Sequence, residues 1–462
     1  MREERLIIRP FEDLQILEYF QIQQVNEHAR ARLKGRIPFG RREDYIKVGR
    51  RETWGQVVAL AGETETTLFY GVLEEMELEI EDGTCLVSLV LYSGTRLMDE
   101  KEHIRSFQNE GLTYSDLLNI CGQGYPNYEK IITEQKGKTI GNFIMQYKET
   151  DWEFIKRLAS QNHVSVFADC SVKGEKYHFG IPDRKGELAD FSGEYRILCD
   201  MQEYWNKKEC GLSICPEETT SYIWERREIH KLGERNTADG RELFLWKIES
   251  VLKGDELYHT CYMKPRGGFQ EPEHHNRHIT GVSLFGSVNR VKDERVQIKI
   301  AGDENQSNAG ACWYSFSTVY SSPDGTGWYC MPEPGDTIRL YFPTAREEDA
   351  YVSSAVHGDG AGLRTHPECK FWRNKEGKEI QLSPDRILLT NNEGTYIQLS
   401  DDDGIEIVSD GSISMRASGT LSITSSDSSI ELRAPKKIRL EQGDTEINLG
   451  GELKMQGTKI RL

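Results

Sequence analysis

Ile397-Gln398-Leu399-Ser400-Asp401-Asp402-Asp403-Gly404-Ile405-Glu406-Ile407 contains one small unit twice: two aliphatic residues separated by a single residue, then a turn. The unit recurs from Glu379 to the final Leu462. Further pairs stand at Ile380/Leu382, Ile387/Leu389, Ile413/Met415, Leu421/Ile423, Ile430/Leu432, Ile438/Leu440, Ile447/Leu449, Leu453/Met455 and Ile460/Leu462. Most pairs begin 8 or 9 residues apart. Alternation at i and i+2 places both aliphatics on one face of a short strand. Turn formers such as Asn391-Asn392-Glu393-Gly394, Asp410-Gly411, Ser418-Gly419, Gly443-Asp444 and Gly450-Gly451 lie between them.

Short strands and tight corners at a fixed period mark a β-solenoid or β-prism. One rung offers two apolar side chains to the inside, which leaves a lone chain with a thin core and unpaired strand edges. Three chains wound about a common axis answer both problems, each strand then pairing with neighbours from other chains. Residues 371–462 are therefore read as one third of an intertwined trimeric needle. Its core would be built from Ile397, Leu399, Ile405, Ile407, Ile413, Met415, Leu421, Ile423, Ile430, Leu432, Ile438, Leu440, Ile447 and Leu449. A single-chain β-helix is the competing reading, but its rungs run to about 20 residues or more. At about 4.8 Å per strand the needle would be on the order of 50 Å long.

The chain has 462 residues, enough for two to four domains, with 37% hydrophobic and 29% charged residues. A formal net charge of −17 argues against a nucleic-acid partner, since phosphate binding needs a basic surface. Ten cysteines are scattered from Cys85 to Cys369 without any Cys-x-x-Cys, as expected of packed, reduced thiols rather than a zinc ribbon or redox site. The charged start Met1-Arg2-Glu3-Glu4-Arg5 is not a signal peptide, and no run of 18 apolar residues is present. Synthesis in the cytoplasm without a signal peptide is the expectation.

Most of the first hundred residues alternate as strands, among them Arg5–Ile8, Leu14–Val25, Tyr45–Val48, Gln56–Ala61 and Thr66–Gly71. Val72–Ile80 and Thr84–Tyr92 flank an Asp82-Gly83 hairpin turn. Helices are expected around 113–161, with capping boxes at Thr113-x-x-Asp116 and Thr150-x-x-Glu153 and a short helix opened by Thr139. Strands return from Val164 to about Met263, so residues 1–276 read as two β-barrel-like modules with a helical insert. Pro265–His278 looks like a polar linker. Residues 279–357 follow as a compact all-β domain of the OB barrel type. Its strands are expected at Thr280–Arg290, Arg295–Ala301, Ala311–Val319, Gly327–Met331, Thr337–Phe342 and Ala350–His357. A second polar stretch, His357–Pro367, leads to the needle. The fold class is mainly β.

The segment Gln146-Tyr147-Lys148-Glu149-Thr150-Asp151-Trp152-Glu153-Phe154-Ile155-Lys156-Arg157-Leu158 resembles the QYxETDxxFxxRL signature of the VgrG and phage late-control-protein-D family. Phe69-Tyr70-Gly71-Val72 is similar to that family's F-x-G-V strand. Gly286-Ser287-Val288, Arg295-Val296-Gln297-Ile298, Trp313 and Met331-Pro332-Glu333-Pro334-Gly335-Asp336-Thr337-Ile338 follow its OB-domain pattern in order. The resemblance implies a homotrimeric spike at the tip of a contractile injection machine. Three chains would present six similar modules to a hexameric tail tube protein, within a baseplate, with the needle aimed transiently at the target cell envelope. Such a protein is assembled into a virion or phage tail-like particle and delivered to the target cell surface. The short stretch between OB domain and needle leaves no room for the lysozyme domain of some relatives. No histidine follows His366, so the His-x-His iron site of some tips is not expected, and Lys459-Ile460-Arg461-Leu462 fits either a blunt end or a separate PAAR-like cap protein at the C-terminus.

Candidate sites outside the needle weigh toward structure. Glu271, Glu273, His274, His275 and His278 lack the regular spacing of a metal site and read as a solvated linker. Trp152 and Phe154 read as core packing, and Asp401-Asp402-Asp403 as an exposed corner rather than a calcium loop. No G-x-S-x-G, H-E-x-x-H or P-loop occurs, so neither a catalytic site nor a cofactor is expected. The rival functions are a baseplate peptidoglycan hydrolase and a trimeric tail fibre or adhesin. A prophage, bacteriocin or free contractile particle fits the bare tip better than an effector-fused type VI spike.

Overall fold

The computed structural model describes residues 4–49, 52–62, 64–81, 83–186, 194–238, 240–357, 366–456 and 458–459. Contacts divide the chain into two compact units, Met1–Gly358 and Asp359–Leu462. Among the described residues no helix is long and apolar enough to cross a membrane.

The first unit opens with β1 (Glu4–Arg9), β2 (Gln15–Gln24), β3 (Arg30–Ile37), β4 (Trp54–Ala61), β5 (Thr64–Glu81) and β6 (Thr84–Ser93). They pair antiparallel in the order β1-β4-β5-β6-β3-β2. Alternation in β3 explains the packing: Ala31, Leu33, Gly35 and Ile37 are buried, while Arg32 and Arg36 are exposed and Arg30 and Lys34 half-buried. Ile8, Leu33, Val57, Phe69, Val87 and Leu89 form the centre of the core. Gly71 allows β5 to approach β6, because a Cβ there would meet the Tyr92 carbonyl oxygen at 2.2 Å.

Two sequence expectations change here. Tyr45–Val48 is not a strand but part of helix α1 (Arg42–Val48), with Glu43 and Asp44 in its first turn and Lys47 in its last. Those charges complement the helix dipole. Tyr45 turns inward onto Phe11, ring centroids 5.0 Å apart, and donates to Asp13. Thr66–Gly71 and Val72–Ile80 are one continuous strand, β5.

The insert comprises β7 (Glu102–Phe107), α2 (Tyr114–Gly122), β8 (Glu129–Ile132), β9 (Ile144–Thr150), α3 (Asp151–Ser160), β10 (Val166–Ala168), β11 (Lys176–Phe179) and β12 (Arg184–Lys185). Both expected capping boxes form, Thr113 with Asp116 and Thr150 with Glu153. No helix starts at Thr139; residues 139–143 are irregular and Ile144 begins β9. Trp152 and Phe154 are buried at 1% and 0% exposure, Trp152 against Tyr177 and Phe154 against Phe107.

The second module contains β13 (Arg196–Cys199), α4 (Met201–Glu209), β14 (Thr220–Arg226), β15 (Glu234–Ala238), β16 (Arg241–Lys253) and β17 (Glu256–Pro265). The amphipathic signal of α4 is weak, with Tyr204 and Lys207 alone buried among its residues, and the sequence reading passed over it. The strands pair in the order β15-β16-β17-β14-β13. This repeats β4-β5-β6-β3-β2 of the first module, strand for strand in chain order. The details match as well. The hairpins close at Glu81/Thr84 and Lys253/Glu256, and the bulges fall at Leu73/Glu75 and Leu245/Lys247, each 172 residues apart. β2 pairs with β16, so the modules share one 12-stranded sheet.

Pro265–His278 is not a solvated linker. Phe269 and Asn276 are buried, and the His163 ring donates to the Glu271 carbonyl. The His274 amide donates to Ser160, and the Asn276 side chain to the Tyr147 carbonyl. The segment is strapped down because a packed chain must satisfy its polar backbone groups locally.

It leads into β18 (Ser283–Lys292), β19 (Arg295–Ile300), β20 (Tyr314–Ser315), β21 (Thr337–Tyr341) and β22 (Tyr351–Ala355), ordered β20-β19-β18-β21-β22. The expected strand Ala311–Val319 shrinks to β20, and Gly327–Met331 forms no strand beyond one bridge from Ser321 to Gly327. In the Met331–Ile338 segment, Gly335 has φ 95° and Asp336 accepts from the Glu333 amide, which turns the chain into β21.

A buried ionic knot fixes this last sheet to the insert. Arg157 donates to both Glu149 carboxylate oxygens at 2.7 and 2.9 Å, to Glu347 at 2.8 Å and to the Met145 carbonyl at 2.9 Å. Burial disfavours its charge, but Glu347 and Glu149 outweigh that and raise its pKa. Asp303 and Glu304 reach back to Ser106 and His103, at 2.5 and 2.7 Å.

The second unit consists of β23 (Lys370–Arg373), β24 (Glu379–Ser383), β25 (Arg386–Thr390), β26 (Tyr396–Ser400) and β27 (Gly404–Val408), then β28 (Ile438–Gln442), β29 (Thr445–Leu449) and β30 (Leu453–Gln456). The strands form two antiparallel meanders, β23 to β27 and β28 to β30. Residues 409–437 lie between them without strands.

Candidate functional site

The expected needle core is the candidate site, and its geometry starts from the turns. Two residues join β24 to β25 and β28 to β29, and three join β26 to β27, where Gly404 takes φ 77°. Connections this short lay each strand beside the one before it. The strands therefore pair with their own chain's neighbours, which corrects the expectation of pairing with strands of other chains. Among the described residues only the outer strands of the meanders, β23, β27, β28 and β30, keep an edge without a strand partner.

The faces of the sheets differ in chemistry. Residues opposite each other in an antiparallel pair share a face. Ile380 lies opposite Leu389, Leu382 opposite Ile387, Ile387 opposite Leu399, and Leu389 opposite Ile397. Ile397 then faces Ile407 and Leu399 faces Ile405. Trp372 extends the row opposite Ile380. In the second meander Ile438 lies opposite Leu449, Leu440 opposite Ile447, Ile447 opposite Met455, and Leu449 opposite Leu453. Each sheet thus carries all its paired aliphatics on one face.

That face is uncovered. Apart from the half-buried Ile438, exposure runs from 37% at Ile397 and Ile447 to 71% at Ile405. Ile413, Met415, Leu421, Ile423, Ile430 and Leu432, in the segment without strands, are 52–66% exposed. Of the aliphatic pairs between Ile380 and Met455, every member except Ile438 is exposed. The pair Ile460/Leu462 lies outside the described residues. In β24 the polar face is the more sheltered one: Glu379, Gln381 and Ser383 are half-buried while Ile380 and Leu382 are exposed. There Glu379 accepts from Asn392 at 3.0 Å, and further along Tyr396 donates to Glu406 at 2.9 Å. Contiguous apolar surface on this scale marks an interaction site.

The other candidates do not converge. Among the described residues no three or more His, Cys, Asp or Glu side chains are placed to hold a metal ion. Glu271 contacts Ser165, His275 sits 3.9 Å from Glu273, and His274 is engaged through its amide. Asp401, Asp402 and Asp403 form the exposed turn between β26 and β27.

Residues 47–184 match the family described as Phage tail baseplate hub (GPD). Among solved structures, the chain is similar to the E. coli c3393 protein, a component of the type VI secretion system with structural similarity to the T4 bacteriophage tail proteins gp27 and gp5. Identity is 12% and the TM-score 0.55, over 76% of this chain and all of that one. It is also similar to a chain of the half-lidded Francisella PdpA-VgrG complex, at 9% identity and TM-score 0.56, over 88% of each chain. The lidless form of that complex gives 9% identity and TM-score 0.55, over 88% of this chain and 98% of that one. No curated protein matches the chain in sequence.

Proposed function

We propose, on the premise that this chain belongs to the VgrG/GPD family of baseplate hub proteins, that it is the homotrimeric spike of a contractile injection machine. The hub modules join the hexameric tail tube, an OB-type collar follows, and the residues from 371 onward close with two other copies into a needle. The observation that carries this reading is the in-register aliphatic face of β24–β30, uncovered in one chain. Three such faces turned toward a common axis would each shield the others, leaving the polar faces outward.

A half-exposed Ile or Leu gains about 1 kcal/mol when covered. With most of the needle pairs in that state, association is favoured by on the order of 10 kcal/mol per chain before its entropy cost. Threefold closure is finite, which suits a tip rather than a filament. The work of such a spike is mechanical: a narrow shaft concentrates the force of sheath contraction on a small area of envelope. No catalytic residue or cofactor enters this account. The partners are the tube protein, baseplate proteins and a PAAR-like cap, and the site of action is a virion or phage tail-like particle at the target cell surface.

Light scattering with negative-stain imaging tests the proposal. The expected result is a trimer mass and a particle with a thin rod at one end. A folded monomer at micromolar concentration refutes it.

A further inference from the structure

The two modules repeat one strand order, and they meet inside the chain at one junction: β2 of the first against β16 of the second. The counterpart of β2 in the second module is β13, and the counterpart of β16 in the first is β5. Among the described residues β13 pairs with β14 alone, so its other edge is open. β4 pairs with β5 only from Thr64 to Val72, and among the described residues no strand pairs with the outer edge of β5 beyond Leu73. Among the described residues the chain makes the junction once, and both halves of a second one stand without a strand partner.

Resting on the trimeric reading above, we infer that β13 of one copy pairs with residues 76–79 of β5 in the next copy, closing a ring of six modules. The register follows from the internal junction. There Phe20 lies opposite Val251, Gln21 opposite Ser250, Ile22 opposite Glu249, and Gln23 opposite Ile248. Through their shared partners on the neighbouring strands, Phe20 corresponds to Arg196 and Gln23 to Cys199. The common hairpin and bulge make Val251 correspond to Glu79 and Ile248 to Met76. Arg196 therefore meets Glu79, Ile197 meets Leu78, Leu198 meets Glu77, and Cys199 meets Met76.

The chemistry of the two edges agrees with that register, which was obtained from the backbone alone. Arg196 against Glu79 is an opposite-charge pair; in the single chain Glu79 lies 4.0 Å from Lys34. Ile197, 56% exposed, would cover Leu78, which already leans on the first module's core. Ile80 supplies a third check. Its counterpart Leu252 packs across the internal junction into the first module's core, whereas Ile80 is 52% exposed. At the proposed junction it would pack the same way. The pairing stops at Cys199 because Asp200 has turned away to cap α4, accepting from the Glu203 amide at 2.9 Å. An open edge strand with apolar residues is otherwise an aggregation hazard.

Cysteine crosslinking of the full chain tests the register. Opposed Cα atoms in an antiparallel pair are about 4.5–5.5 Å apart, within the range a disulfide spans. Met76→Cys, with the native Cys199, is expected to give covalent dimers and trimers on a non-reducing denaturing gel after mild oxidation. Met76→Cys/Cys199→Ser should run as a monomer. The pair Leu78→Cys/Ile197→Cys in the Cys199→Ser background is a second route should the first variant fail to fold. A native mass of three chains with no crosslink from either pair overturns this junction and leaves the trimer standing. A native mass of one chain overturns both. Charge reversal gives an independent reading: Arg196→Glu and Glu79→Arg should each lower the melting temperature of the trimer, and the double variant should restore it.

Discussion

Ile405→Asp probes the apolar face at its most exposed point. In one chain Ile405 is 71% exposed, so the substitution would hardly disturb an isolated meander and would even favour its solubility. In the proposed needle three copies of the residue are buried near one axis. Covering an isoleucine contributes about 2 kcal/mol, so three replacements remove roughly 6 kcal/mol from the trimer. Three carboxylates brought out of water add several kcal/mol each unless they take up protons. The hydrophobic loss alone weakens association by about four decades. Size-exclusion chromatography with light scattering on a dilution series reads that shift directly. Glu406→Gln, on the opposite face of the same strand, is the matched control and should leave the mass unchanged. If Ile405→Asp keeps the parent mass and melting temperature at every concentration, the face is not buried in an assembly and the reasoning fails.

Arg157→Met should destabilise the first unit by about 3–5 kcal/mol, because Glu149 and Glu347 would remain buried without their cation. Denaturant titration measures it, and Arg157→Lys should recover little, since one ammonium cannot replace the bidentate contact. Thr150→Ala removes the α3 cap and should cost about 1 kcal/mol in the same assay. The buried His259 gives a pH signature. Burial, helped by His230, pushes its pKa from 6.5 down to about 4. The unfolded chain thus takes up a proton at a higher pH than the native one does. The stability contribution is complete above pH 6.5 and is lost as pH falls through about 4. It amounts to about 3 kcal/mol in all, and His259→Gln should flatten that part of the melting profile.

Features set by neighbours in sequence were the legible ones. The capping boxes at Thr113 and Thr150, the hairpin before Thr84 and the aliphatic pairs were all readable from spacing. Residues 42–48 were misread because Tyr45, Ile46 and Val48 look strand-like, while the dipole-matching Glu43, Asp44 and Lys47 were the better signal. Pro265–His278 was misread because its polar residues find partners more than 100 positions away, such as His163 for Glu271. The site divides the same way. Which residues make the apolar face was legible from the alternation, but which strands pair was decided by two- and three-residue turns that keep each strand with its own chain. The repeat of the two modules resides in register and bulge position, which composition does not record.

The bare aliphatic strip of residues 379–456 also dictates an order of events during biosynthesis. The first unit has its own buried cores, whereas the strip has none within one chain, so a newly made copy would carry a packed first unit and a sticky second one. If the proposed trimer forms, encounter with two sister copies competes with indiscriminate clumping, and the balance shifts with local abundance. Making the copies close together, from one message, would favour the productive outcome.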